Sequence, residues 1–129
     1  MVDTIFTKII KRELPAEILY EDEEIIAILN RFPNMEGETL VITKEQIDYL
    51  FDLDDELYAK LMLVTKKVAK ALDATFKPIR TCIVIEGLEV PHVHVRLYPL
   101  VQGPLTIHSG PMKTDDELKA VADRIRPNL

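Results

Sequence analysis

The sequence has one cysteine, no apolar run near membrane length, no excess of basic charge, and no repeats, linkers or low-complexity tracts. A lone Cys82 excludes an internal disulfide and favours a reducing compartment. Its place in the run Cys82-Ile83-Val84-Ile85 reads as a buried small hydrophobe rather than a nucleophile. Without a stretch approaching the ~20 apolar residues of a membrane span, or a basic-then-apolar leader, a cytoplasmic protein with no membrane partner is expected. Lys and Arg number 16 against 22 Asp and Glu, a net charge of -6. That balance argues against broad binding to a nucleic-acid backbone, although a local basic row can still hold a small anion.

The composition that remains, 47% hydrophobic and 29% charged over 129 residues, is that of one ordinary globular domain spanning 1–129. Apolar residues at 5, 6, 9 and 10 predict a short helix ending before Pro15. Ala16–Tyr20 and Ile25–Leu29 read as two strands of a hairpin, joined by the acidic turn Glu21-Asp22-Glu23-Glu24. Asn30–Asn34 breaks the pattern, and Glu36-Gly37-Glu38 leads into a strand at Thr39–Ile42. Asp54 or Asp55 caps a long helix to about Ala74, with Leu57, Leu61, Val64, Val68 and Leu72 on its inward stripe. A strand at Thr81–Ile85 and a turn at Glu86–Glu89 lead to a strand over Val90–Pro99. After a loop at 101–111 holding His108, Thr114 caps a last helix with Glu117 in capping-box position. The sum is an α+β fold: an antiparallel sheet of about five strands with one long and two shorter helices.

The chemistry is concentrated in Val90-Pro91-His92-Val93-His94-Val95-Arg96-Leu97-Tyr98-Pro99. With a side-chain period of two, His92, His94 and Arg96 share one face, about 7 Å apart in turn, while Val93, Val95 and Leu97 share the other. Two imidazoles and a guanidinium suit a cleft, a polar network or a ligand rather than an apolar core. Three readings stay open on spacing alone. A neutral imidazole can attack phosphorus near pH 7, with a second imidazole and Arg96 steadying the charge. His-x-His can supply two ligands to a metal, but zinc needs three or four and His108 is the only other histidine. The pair can also be purely structural.

The stretch Pro91–Leu97 resembles the signature of the histidine-triad family, His-φ-His-φ-His-φ-φ, with Arg96 at the third histidine. Three further segments agree in order. Asp3–Ile10, Leu14-Pro15-Ala16 and Tyr20-Glu21-Asp22 resemble the N-terminus of the purine nucleoside phosphoramidase branch. Ala27–Asn30 resembles the family's second strand, which ends in aspartate, and Gly37–Lys44 resembles Gly-His-Thr-Leu-Val-Ile-Pro-Lys. The resemblance covers about residues 3 to 99. It implies a homodimer whose sheets join, a purine nucleotide substrate, and hydrolysis of nucleoside phosphoramidates or dinucleoside polyphosphates through a nucleotidylated histidine. His94 matches the nucleophile. His92 matches the first histidine, which holds phosphate oxygens and orders the row. Ile5, Phe6 and Ile9 match the base pocket, with Leu29 and Arg31 nearby, and Asn30 matches the aspartate that bonds the ribose hydroxyls.

Departures from the pattern are informative. Asn30 keeps an acceptor oxygen but loses the charge. Thr4 and Thr7 stand where some members carry zinc-ligating cysteines, so no metal or other cofactor is expected. Leu88 and Glu89 replace a glutamine and a small hydroxyl position, leaving Glu89 to act on the leaving group or repel phosphate. Glu38 replaces the histidine of Gly-His-Thr-Leu, which often meets the third triad histidine. Opposite charges at Glu38 and Arg96 lead us to expect an ion pair across adjacent strands, with Arg96 aimed at phosphate as the rival. The expected function is a nucleotidyl hydrolase using His94 and His92. The alternative is a nucleotide-binding or sensing protein with catalysis degraded by the replacements at 30, 38, 88, 89 and 96.

Overall fold

The computed structural model describes residues 2–129. Five strands, β1 (Ile18–Glu21), β2 (Ile25–Leu29), β3 (Thr39–Thr43), β4 (Arg80–Val84) and β5 (His94–Leu100), form one antiparallel sheet in the order β1-β2-β3-β5-β4. Three helices accompany it: α1 (Ile5–Ile10), α2 (Asp55–Phe76) and α3 (Asp115–Ile125). The α+β architecture expected from the patterning is present.

Each helix starts where a side chain satisfies its first free N–H groups. Thr4 and Thr7 form a reciprocal capping box on α1. Asp54 caps α2, and Thr114 with Glu117 forms a second box on α3. The α2 stripe Leu57, Leu61, Val64, Val68 and Leu72 is buried, together with Leu118, Ala122 and Ile125 of α3, against Ala27, Val41, Val95 and Leu97 of the sheet and Val93 just before β5. On the opposite face, Phe6 and Ile9 of α1 pack on Ile26, Ile28, Leu40 and Ile42. The strands β2 and β3 are therefore covered on both sides, which is why Ile25–Leu29 is an unbroken apolar run rather than an alternating one. Gly37 enters β3 at φ +88°, and a Cβ there would meet a Phe76 ring carbon at 2.5 Å. Backbone conformation and the close passage of α2 both require glycine at that point.

Some boundaries differ from expectation. The strand carrying the histidines begins at His94 rather than Val90, so the link from β4 is the nine-residue stretch 85–93 and not a tight turn at 86–89. Pro91 lacks an N–H for a ladder, and the His92 N–H turns back to the Val90 carbonyl at 2.8 Å, ending the pairing there. Helix α2 runs two residues past Ala74 before Lys77 takes a left-handed φ of 46°. Cys82 is half-buried rather than buried, because β4 is an edge strand.

Candidate active site

The sheet register decides what meets what around the histidine row. Ile42 lies opposite His94 and Leu40 opposite Arg96, so the α1 face carries the row His94–Arg96–Tyr98 beside Ile42, Leu40 and Glu38. His92 sits just before β5 and is fully buried. Its Nε2 lies 2.7 Å from the Thr43 carbonyl and its Nδ1 2.8 Å from the Thr4 hydroxyl. A carbonyl only accepts, so Nε2 holds the proton, and Nδ1 accepts from the Thr4 O–H. The Thr4 hydroxyl in turn accepts the Thr7 N–H. The Thr7 hydroxyl donates to Gln46 Oε1 at 2.8 Å, and Gln46 Nε2 donates to the Val2 carbonyl at 2.7 Å.

The same reasoning fixes His94. Its Nδ1 lies 2.7 Å from the His92 carbonyl, so Nδ1 carries the proton and the lone pair is on Nε2. The ring is 1% exposed, with the Phe6 ring edge-on at a centroid distance of 4.8 Å. The Nε–H of Arg96 reaches Nε2 at 3.5 Å, a long contact. Burial holds both imidazoles below their ordinary pKa. The carbonyl each faces pulls the other way, and at His94 the Arg96 charge adds to the lowering. Both rings are neutral at pH 7.

The expected Glu38–Arg96 ion pair is not formed. Leu40, not Glu38, is opposite Arg96, so the two charges stand on a diagonal of the sheet. The buried carboxylate of Glu38 instead accepts from Asn30 Nδ2 and from the Asn34 N–H, while Arg96 faces Glu89 at 3.8 Å. Asn30 is correspondingly engaged: its Oδ1 accepts the Phe32 N–H at 2.9 Å and its Nδ2 goes to Glu38. The expected part of His92 in gripping phosphate oxygens also finds no free atom, since both of its ring nitrogens are bonded inside the protein.

Beside α1 opens a cavity of about 340 Å³, lined by Ile5, Phe6, Ile9, Leu29, Asn30 and Arg31. All six base- and ribose-pocket candidates thus come together, joined by Leu14, Pro15, Phe32, Leu40 and Leu118 from segments that sequence reasoning had not linked. Phe6 belongs both to this wall and to the packing around His94. Glu89 does not line it; its side chain is 77% exposed, 3.8 Å from Arg96. A second cavity, about 450 Å³, lies beyond Asn30 toward α3 and has charged walls at Glu36, Lys113, Glu117 and Arg124. His108 is exposed. Thr4, Thr7, Gln46 and Asn34 went unrecognised as site residues. For Thr4 and Thr7 the sequence offered two signals, the Thr-x-x-Thr capping pattern and their match to cysteine positions of the family, and neither pointed to a hydrogen bond with His92.

The HIT domain family matches residues 11–102. The chain belongs to the HIT family. Among its HIT relatives, an uncharacterized HIT-like protein of Borreliella burgdorferi is 38% identical over 106 residues, covering 77% of this chain and 76% of that one. The adenosine 5'-monophosphoramidase of Saccharomyces cerevisiae is 38% identical over 96 residues, 74% of this chain but 61% of that enzyme. Among solved HIT structures, a Hit-like protein involved in cell-cycle regulation from Bartonella henselae superposes with a TM-score of 0.88 at 28% identity, covering 98% and 96% of the two chains. A zinc-bound histidine-triad protein from Mycobacterium smegmatis gives 0.81 at 25% identity, covering 96% and 91%. Zinc takes thiolate, imidazole or carboxylate donors. In this HIT domain Thr4 and Thr7 offer hydroxyls, and the imidazole beside them is bonded at both nitrogens, so the donor set does not fit that ion. Among the described residues no group of three or more His, Cys, Asp or Glu is arranged to hold a metal, and no helix is long and apolar enough to cross a membrane.

Proposed function

We propose that this HIT-family protein is a nucleotidyl hydrolase acting on the α-phosphorus of a purine nucleoside phosphoramidate or dinucleoside polyphosphate. The observation that carries the reading is the fixed tautomer of His94: a neutral imidazole whose Nδ1–H is tied to a backbone carbonyl, leaving the Nε2 lone pair as nucleophile. The base and ribose occupy the cavity at Phe6, Ile9 and Asn30, within the usual size range of small-molecule sites. Nε2 forms a bond to phosphorus as the bond to the leaving group breaks, and the departing amine or phosphate takes a proton from water. A water molecule then attacks phosphorus, the Nε2–P bond breaks, and nucleoside monophosphate leaves. The 38% identity to an adenosine 5'-monophosphoramidase supports a phosphoramidate as the substrate class.

Brief mixing with an adenosine phosphoramidate, followed by mass spectrometry, tests this directly. A nucleotidyl adduct on His94 is the expected result; turnover with no adduct at that ring overturns the mechanism. A second reading, a nucleotide-binding protein without turnover, draws on the near-complete burial of His94 and the internal engagement of Asn30 and His92. It predicts nucleotide binding with neither adduct nor product. A homodimer belongs to the same proposal: β4 is a free edge bearing exposed Ile83, a geometry suited to pairing with a second copy. Sedimentation velocity reads out that assembly.

A further inference from the structure

Arg96 leaves β5 on the same side as His94 and lies across its free nitrogen. Its Nε is 3.5 Å from His94 Nε2, at the outer limit of an N–H···N bond. Its terminal nitrogen is 3.8 Å from a Glu89 oxygen, outside hydrogen-bond range, and Glu89 is so exposed that water screens the attraction. The Glu38 carboxylate on the same face is taken by Asn30 and Asn34. The Tyr98 hydroxyl, on the same strand face, is its remaining neighbour. The Arg96 side chain, 24% exposed, is thus held by one neutral hydroxyl and two weak contacts, with donors of its planar fork left over. An oxyanion accepting two parallel N–H bonds is a far better partner than any of these. The guanidinium also occupies the space from which His94 Nε2 would have to be approached.

We propose that Arg96 is both the phosphate-binding residue of this site and the cover of His94. In the free protein it rests across Nε2. The α-phosphoryl oxygens of a bound nucleotide draw it aside and uncover the lone pair. The inference rests on the reading of His94 as nucleophile and adds a rule of selection: a neutral nucleoside fills the apolar cavity yet leaves the ring covered, whereas an anionic phosphoryl group next to the ribose opens it. The charge of Arg96 beside His94 further keeps that ring unprotonated while it waits.

Two measurements on the full chain test this without relying on turnover. Labelling with diethyl pyrocarbonate, read peptide by peptide, compares the wild type with Arg96→Gln. His94 of the wild type should react slowly against exposed His108 as internal reference. In Arg96→Gln its rate should rise by about tenfold or more as the shorter side chain uncovers Nε2, with buried His92 unchanged. Calorimetric titration then compares adenosine with adenosine monophosphate. The wild type should prefer the monophosphate by at least about tenfold, and Arg96→Gln should lose that preference while keeping its affinity for adenosine. Arg96→Lys, which keeps the charge without the fork, should lose part of it and serves if the glutamine variant does not fold. Unaltered labelling of His94 overturns the cover, and an unaltered preference, or no monophosphate binding by the wild type, overturns the phosphate assignment. An absent nucleotidyl adduct on wild-type His94 would instead remove the hydrolase reading, with the labelling and binding results still standing.

Discussion

The Thr4 hydroxyl lies 2.8 Å from Nδ1 of His92, although 88 residues separate them. The Thr43 carbonyl fixes the His92 proton on Nε2, and the helix-capping threonine of α1 supplies the donor that the other nitrogen then needs. Replacing Thr4 with valine leaves Nδ1 buried without a donor and removes the α1 cap. A loss of about 1–3 kcal/mol is expected, read as a lowered urea midpoint. Thr4→Ser should recover most of it.

Substituting His94 with asparagine removes the nucleophile while preserving a polar side chain of similar reach. Turnover of an adenosine phosphoramidate should fall to background, with adenosine monophosphate binding still measurable by titration. Unchanged turnover in this variant would exclude His94 as the attacking group.

Both histidines carry a pKa held below the ordinary 6.5, burial being the main cause. The unfolded chain therefore binds protons at these positions first as the pH falls. Their contribution is fully present above about pH 6.5 and is lost as the pH drops from there toward the lowered folded values. Each ring contributes a slope of up to about 1.4 kcal/mol per pH unit in that window. Denaturant titrations across pH 7.5 to 5 should show this loss, and a flat profile would contradict neutral burial. His92→Asn should flatten the slope by roughly half.

Asn30 and Glu38 are bound to one another, which gives Asn30 a reason to be an amide. Asn30→Asp places two carboxylates in contact where a donor had been, and should destabilise the fold by about 1–3 kcal/mol. Adding Glu38→Gln restores a donor between them, while its oxygen still accepts the Asn34 N–H. Thermal melts of the four combinations should therefore give a coupling energy of about 1 kcal/mol or more, favouring the double variant over the sum of the singles.

Periodicity made the elements legible. The stripe Leu57–Leu72, the apolar run Ile25–Leu29 and the Thr114–Glu117 box were all readable because each depends on residues a few positions apart. The histidine row was legible for the same reason, since alternation alone puts His94 and Arg96 on one face. The Glu38–Arg96 pair failed because it depended on register. A shift of two residues between β3 and β5 separates opposite neighbours from diagonal ones, and nothing within either strand declares that alignment.

By itself, then, the sequence determined the α+β fold, the helix caps and the chemical character of the row, since these follow from local sterics, capping and side-chain period. Only the tertiary structure decided that both nitrogens of His92 are used, that Asn30 serves Glu38, and that Arg96 lies over His94. Those facts turn on which donor reaches which acceptor across long separations in the chain, and that is set only once the sheet has closed and α1 has packed upon it.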